Sequence, residues 1–109
     1  MTYELLLTPQ AEADVDNIIR YLAIRSPQGA VAWCERWEQV MTELVRDPLS
    51  FAKAPESSKC KTDVRQLLFK TRRGRTYRAI FTAVGRGVYI LHVRGPGQKL
   101  LRRRDMRRR

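Results

Sequence analysis

An α+β domain, with helices and sheet drawn from separate stretches of the chain, is the fold this sequence predicts. Three observations predict it. Two consecutive segments carry apolar residues at three- and four-residue spacing, each opened by a hydroxyl residue and a proline. Three later segments are rich in β-branched and aromatic residues and are divided by glycine-bearing turns. A short apolar run, Tyr3 to Leu7, precedes them all.

Tyr3 to Leu7 is expected to form the first strand. Thr8-Pro9 then starts a helix, because a threonine oxygen can accept from first-turn amides and proline suits the first helical position. Ala11, Val15, Ile18, Ile19, Leu22 and Ala23 form its apolar stripe to about Ile24, with Glu12, Asp14, Asp16, Asn17 and Arg20 on the other side. Ser26-Pro27 repeats the start signal, and Ala30, Trp33, Cys34, Trp37, Val40, Met41, Leu44 and Val45 form a second stripe that stops before Asp47-Pro48. So short a link forces an antiparallel helical hairpin, in which Trp33 and Trp37 read as core. Residues 47–62 read as a loop. Val64 to Phe69, Tyr77 to Val84 and Val88 to Arg94 are expected to form a three-stranded antiparallel meander, joined through Thr71 to Thr76 and through Gly85-Arg86-Gly87. The helices should cover one face of this sheet and leave the other open.

The length of 109 residues implies one domain, taken here as residues 1–94, with 95–109 as a basic, mobile C-terminal arm. No apolar run approaches the roughly 18 residues of a membrane span, and the start lacks a basic secretory n-region. The cytoplasm is the expected compartment. Cys34 and Cys60 have no metal-ligand spacing, so neither a metal, a cofactor nor a disulfide is expected. Charge is unevenly placed. Residues 1–60 carry six Lys/Arg against nine Asp/Glu, a net of −3, whereas residues 61–109 carry sixteen against two, a net of +14. Such asymmetry points to a polyanionic partner: nucleic acid, an anionic membrane or an acidic protein segment.

No phosphate-binding loop, dinucleotide glycine run or metal-binding cluster is present. Basic residues on strands are what remain. Strand alternation puts Arg78, Ile80 and Thr82 on one face and Ala79, Phe81 and Ala83 on the other, which suits contact with helices. Arg65 is expected beside Arg78 on the open face, and His92 and Arg94 should share a face of the last strand. Grouped arginines can hold phosphate oxygens bidentately and stabilise charge on phosphorus. They can equally solubilise an exposed sheet or pair with Asp63 and the acidic first helix. His92 reads more readily as a structural histidine.

The order of elements and the residues resemble the RelE/ParE toxin family, closest to its ParE-type branch. The resemblance lies in Leu5 to Asp14, Asp16 to Leu22, the Ser26-Pro27 helix start, Asp47-Pro48 and Ala54-Pro55-Glu56. It continues in Val64 to Leu67, Tyr77 to Phe81 and Val88 to Arg94, so it spans residues 3–94. It implies the toxin of a type II toxin–antitoxin module, held in a hetero-oligomer by a cognate antitoxin with an acidic binding segment, and no membrane partner. ParE-like members poison DNA gyrase by binding; RelE-like members cut mRNA on the ribosome. The long hairpin is similar to the ParE branch.

The nuclease match is partial. Arg78 matches the family arginine at the cleaved phosphate, and Arg65 matches the first of two strand lysines, but Leu67 stands at the second. Residues 95–99 lack the late tyrosine or histidine of the nuclease branch, leaving His92, Tyr77 or Tyr89 as displaced acid–base groups. Three readings follow: a gyrase inhibitor, a ribosome-dependent endoribonuclease using Arg65, Arg78 and His92, and a nucleic-acid-binding module relying on counterion release through its tail. The expected antitoxin or target contacts are Arg65, Arg78, Arg94, Lys99, Arg102, Arg103 and Arg104.

Overall fold

A single residue, Ser26, separates helix α1 (Pro9–Arg25) from helix α2 (Pro27–Leu44) in the computed structural model, which describes residues 2–59 and 62–96. Its N–H donates to the Leu22 carbonyl at 2.7 Å, closing α1, while its Oγ accepts from the Gly29 amide at 3.0 Å, capping α2. One serine therefore ends one helix and begins the next. Proline follows it at the first position of α2, where no intrahelical N–H is needed. The two helices lie against each other as the sequence predicts.

Strands β1 (Glu4–Leu7), β2 (Arg65–Phe69), β3 (Tyr77–Val84) and β4 (Gly87–Arg94) form one sheet in the order β1-β4-β3-β2. The β2–β3–β4 meander is antiparallel, as expected. The first strand changes the sheet type: β1 runs parallel to β4, with Leu5 opposite Val88 and Leu7 opposite Ile90, so the sheet is mixed. The helical hairpin and the long loop after it supply the crossover that a parallel pairing needs.

The helices pack on one face. Trp33 stacks on Trp37 with ring centroids 5.5 Å apart, and meets Phe69 and Tyr77 at 5.8 and 5.7 Å. Leu67, Ala79, Phe81, Val88, Ile90 and Val93 complete this core from the sheet side. The tryptophans are core residues, and Ala79 and Phe81 face the helices as alternation requires. The opposite face is not open. Residues 47–59 and 62–64 cross it, and Ala54 and Val64 pack on Ile80 and Leu91 in a second, smaller core. Backbone bonds hold this segment along the edge of β2: Ala54 N–H to the Val64 carbonyl at 2.8 Å, and Gln66 N–H to the Ala52 carbonyl at 3.0 Å. Thr82 Oγ1 adds a bond to the Asp63 carbonyl at 2.9 Å. The loop is a third layer.

Two side chains of the first half pin α1 to β4. Thr8 Oγ1 accepts from the Ala11 amide at 3.1 Å, and its proton points at the Ile90 and Leu91 carbonyls, 3.0 and 3.1 Å away. One turn on, Asp14 Oδ2 accepts from the Val93 amide at 2.9 Å and lies 3.7 Å from His92 Nδ1. Here β4 runs past the end of β1, so a carboxylate satisfies an edge amide that has no strand partner. Burial pushes the Asp14 carboxyl up, but the adjacent His92 and the hydrogen bonds from Val93 and Gln10 hold it below the usual carboxylate range. Among the described residues no helix is long and apolar enough to cross a membrane, and Cys34 is a free thiol. Cys60 and the expected arm from residue 97 onward lie outside the described residues.

Replacing Thr8 with Val removes a buried helix cap and its carbonyl contacts, and is expected to lower unfolding stability by about 1–2 kcal/mol in urea titration. An unchanged midpoint would show that the clip contributes nothing. Asp14 makes a pH-dependent contribution, because its folded pKa lies below the unfolded one. That stability is complete above the unfolded carboxylate pKa and disappears as pH falls through the folded value. Wild type should therefore outlast Asp14→Asn at neutral pH, with the gap narrowing steadily below about pH 4.

A candidate anion-binding surface

Arg78 leaves β3 on the face covered by the 47–64 loop, and there it meets a carboxylate. Its Nη1 donates to Glu56 Oε1 at 2.9 Å and to Gln66 Oε1 at 3.0 Å, and its Nη2 donates to Glu56 Oε2 at 2.7 Å. Glu56 is fully buried in a short 3-10 turn, Pro55–Lys59, and the Arg78 side chain is 17% exposed. The pairing is a bidentate fork, the strongest form of this contact. It also uses the donors that a phosphate would need. Arg78 is therefore a structural arginine here, against the expectation of a free anion-binding group on an open face.

Arg65 is placed elsewhere. The β2–β3 register sets Arg65 opposite Phe81, Leu67 opposite Ala79 and Phe69 opposite Tyr77, all on the helix side. Gln66 and Leu68 are the residues that share the Arg78 face. The Arg65 guanidinium donates to the Phe51 carbonyl at 2.6 Å, holding the loop where it leaves the helix layer. The expected Arg65–Arg78 group does not exist. Arg94 stands directly opposite Arg78 on β4, half-buried, and His92 stands opposite Ile80, so both share that face by register. His92 is buried, and its Nδ1 lies against Asp14. Tyr77 is half-buried among Trp33 and Phe69; burial and the neighbouring Tyr21 raise its phenol above the ordinary range, which disfavours the phenolate a base would require. The nuclease candidates are thus scattered, and each described one is engaged in holding the fold.

The exposed cations sit at one end of the sheet. The β2–β3 link, Lys70-Thr71-Arg72-Arg73-Gly74-Arg75-Thr76, places Lys70, Arg72, Arg73 and Arg75 in solvent. Sequence reasoning counted these charges but treated the segment as a connector; four cations in six residues were the signal it had. Glu56 was likewise read only as part of a family-like motif. Nothing local marks its partner, 22 residues away on a strand. Of the remaining expected contacts, Lys99, Arg102, Arg103 and Arg104 lie outside the described residues. Among the described residues no three of His, Cys, Asp and Glu gather as a metal site.

A helical hairpin on one face of a small four-stranded mixed sheet is the α+β fold of ParE-like toxins. A solved chain described as the chromosomal ParDE toxin–antitoxin system from P. aeruginosa superposes with a TM-score of 0.65 at 23% identity. The match covers 85% of this chain and 95% of that one. The family model of the ParE toxin of the type II toxin–antitoxin system parDE matches residues 5–99, and the chain belongs to that family. A search of curated proteins returned no match.

Glu56→Ala leaves a largely buried guanidinium without its counter-charge and should cost about 3 kcal/mol of stability, the low end for a broken buried pair because Arg78 keeps some solvent contact. Adding Arg78→Met should restore part of that loss, as a double-mutant cycle by chemical denaturation would show. Strictly additive losses would mean that the two side chains do not depend on each other.

Proposed function

We propose that this ParE-type toxin acts by binding, inhibits DNA gyrase in the cytoplasm, and is neutralised by a cognate antitoxin whose acidic segment covers part of its basic surface. The observation that carries this reading is the closure of Arg78 by Glu56 and Gln66. RNA cleavage by 2′-hydroxyl attack needs a base, and usually an acid, beside cations that stabilise charge on the phosphate. Here the arginine that would do so is forked onto the buried Glu56, Arg65 is on the other side of β2, and His92 is buried against Asp14. Opening the site would mean lifting a loop that contributes a hydrophobic core. A binding toxin needs none of this. The family membership supports the antitoxin, and the excess of cations in the second half of the chain suits an acidic one.

Induction in a sensitive host is expected to raise the SOS response while transcripts stay intact, and purified toxin should inhibit supercoiling by purified gyrase. Arg78→Ala should leave this inhibition in place to the extent that the variant stays folded. Rapid transcript cleavage without DNA damage would defeat the proposal and point to the ribosome.

A further inference from the structure

We infer that the β2–β3 loop, Lys70 to Arg75, is a binding site for the phosphate backbone of duplex DNA. The inference goes beyond inhibition of gyrase and does not require that enzyme.

The loop holds four cations, two flanking threonine hydroxyls and one glycine, with no carboxylate. All four cations are exposed, and none has a carboxylate partner among the described residues, unlike Arg78 with Glu56 or Lys53 with Asp63. Free cations and hydroxyls are the groups that contact DNA phosphates. The loop is also shaped. Gly74 N–H closes a turn onto the Thr71 carbonyl at 3.1 Å, and a Cβ at Gly74 would run into the Thr71 hydroxyl. Its two stems are clamped where Phe69 stacks on Tyr77 with centroids 5.8 Å apart, against Trp33. A rigid base therefore presents the cations as one group.

Arg78 and Arg94 are cross-strand partners, so β4 ends at the sheet end from which the loop springs. The loop composition selects among polyanions. An acidic peptide or a membrane would be gripped by apolar side chains beside the charges, and residues 70–76 contain none. Single-stranded nucleic acid is held by stacking on exposed rings. The loop itself has no ring, and Tyr77, where β3 begins, is packed into the aromatic core. A duplex backbone, read by charge and hydroxyl contacts alone, is what remains.

The test is fluorescence anisotropy of a 20-base-pair duplex of arbitrary sequence with the full chain over a salt series, without gyrase. A variant carrying Arg72→Gln, Arg73→Gln and Arg75→Gln is compared with one carrying Arg20→Gln, Arg36→Gln and Arg46→Gln, which loses the same charge. Each phosphate contact contributes about 0.9 to the slope of log K against log salt, so the loop variant should flatten that slope by about 2–3. It should also weaken binding at least tenfold at about 0.1 M salt, with unchanged circular dichroism, while the control variant barely moves. Arg73→Gln alone should shift the slope by about one contact, which keeps the result readable should the triple variant fold poorly. Equal effects of the two triple variants would overturn the site. So would loop-independent binding that vanishes when residues 102–109 are removed, or loop-dependent binding that is tighter for a single strand or a polyglutamate peptide than for the duplex. Failure of gyrase inhibition would leave this measurement untouched.

Discussion

A buried carboxylate and the guanidinium that neutralises it organise this molecule. Glu56 has no solvent exposure, and a charge in that position is tolerated only when it is paired and hydrogen-bonded. Arg78 supplies both oxygens with donors and draws in Gln66 as well. Because Glu56 sits in the segment between α2 and β2, satisfying it fixes that segment across the sheet, where Ala54 and Val64 reach Ile80 and Leu91. Two layers become three. The face that would have been a shallow arginine-lined platform becomes interior, and the groups available to a partner are displaced to the sheet end and the loops.

A similar economy governs α1. Thr8 and Asp14 each satisfy backbone groups of β4 while doing local work in the helix: Thr8 caps its first turn, and Asp14 accepts from Gln10 as well as from Val93. The only histidine of the chain is drawn into this clip. A small domain has few polar side chains with which to meet its buried backbone groups. Residues whose chemical type suggests catalysis are here already committed to cohesion. An inventory of arginines and histidines therefore overstates the reactive capacity of the chain.

Much of the fold was legible because its signals are local. The Thr8-Pro9 and Ser26-Pro27 caps, the helical stripes and the alternation within β3 each depend on neighbours within a few residues. Long-range facts were not. Alternation fixes which residues of one strand share a face, but not how two strands are phased. A seven-residue link such as Lys70 to Thr76 leaves that phase open. The register that pairs Phe69 with Tyr77 turned Arg65 toward the helix side and brought Gln66 to Arg78. In β4 one further residue, Leu91, interrupts the pairing between Ile80 and Phe81. Val88 and Ile90 therefore join the helix-side core on even numbers and Val93 on an odd one, which blurred the reading of that strand. The parallel docking of β1 and the covering loop both rest on contacts between distant segments with no periodic trace.

Exposed cations and exposed apolar side chains are divided between the β2–β3 loop and the helical hairpin. Tyr21, in the far half of α1, is 55% exposed. Beyond Tyr21 the hairpin leaves Ile24 82% exposed and Val31 58% exposed. Arg25 lies over the Tyr21 ring, 3.6 Å from its centre, where the positive charge meets the electron-rich face. The opposite sheet end offers the tight turn around Gly85, the single positive-φ glycine among the described residues. Long-range attraction would orient the cationic end toward a polyanion before contact. This chain spends its inward-facing polar groups on holding three layers together, and that leaves its cations to act from the rim.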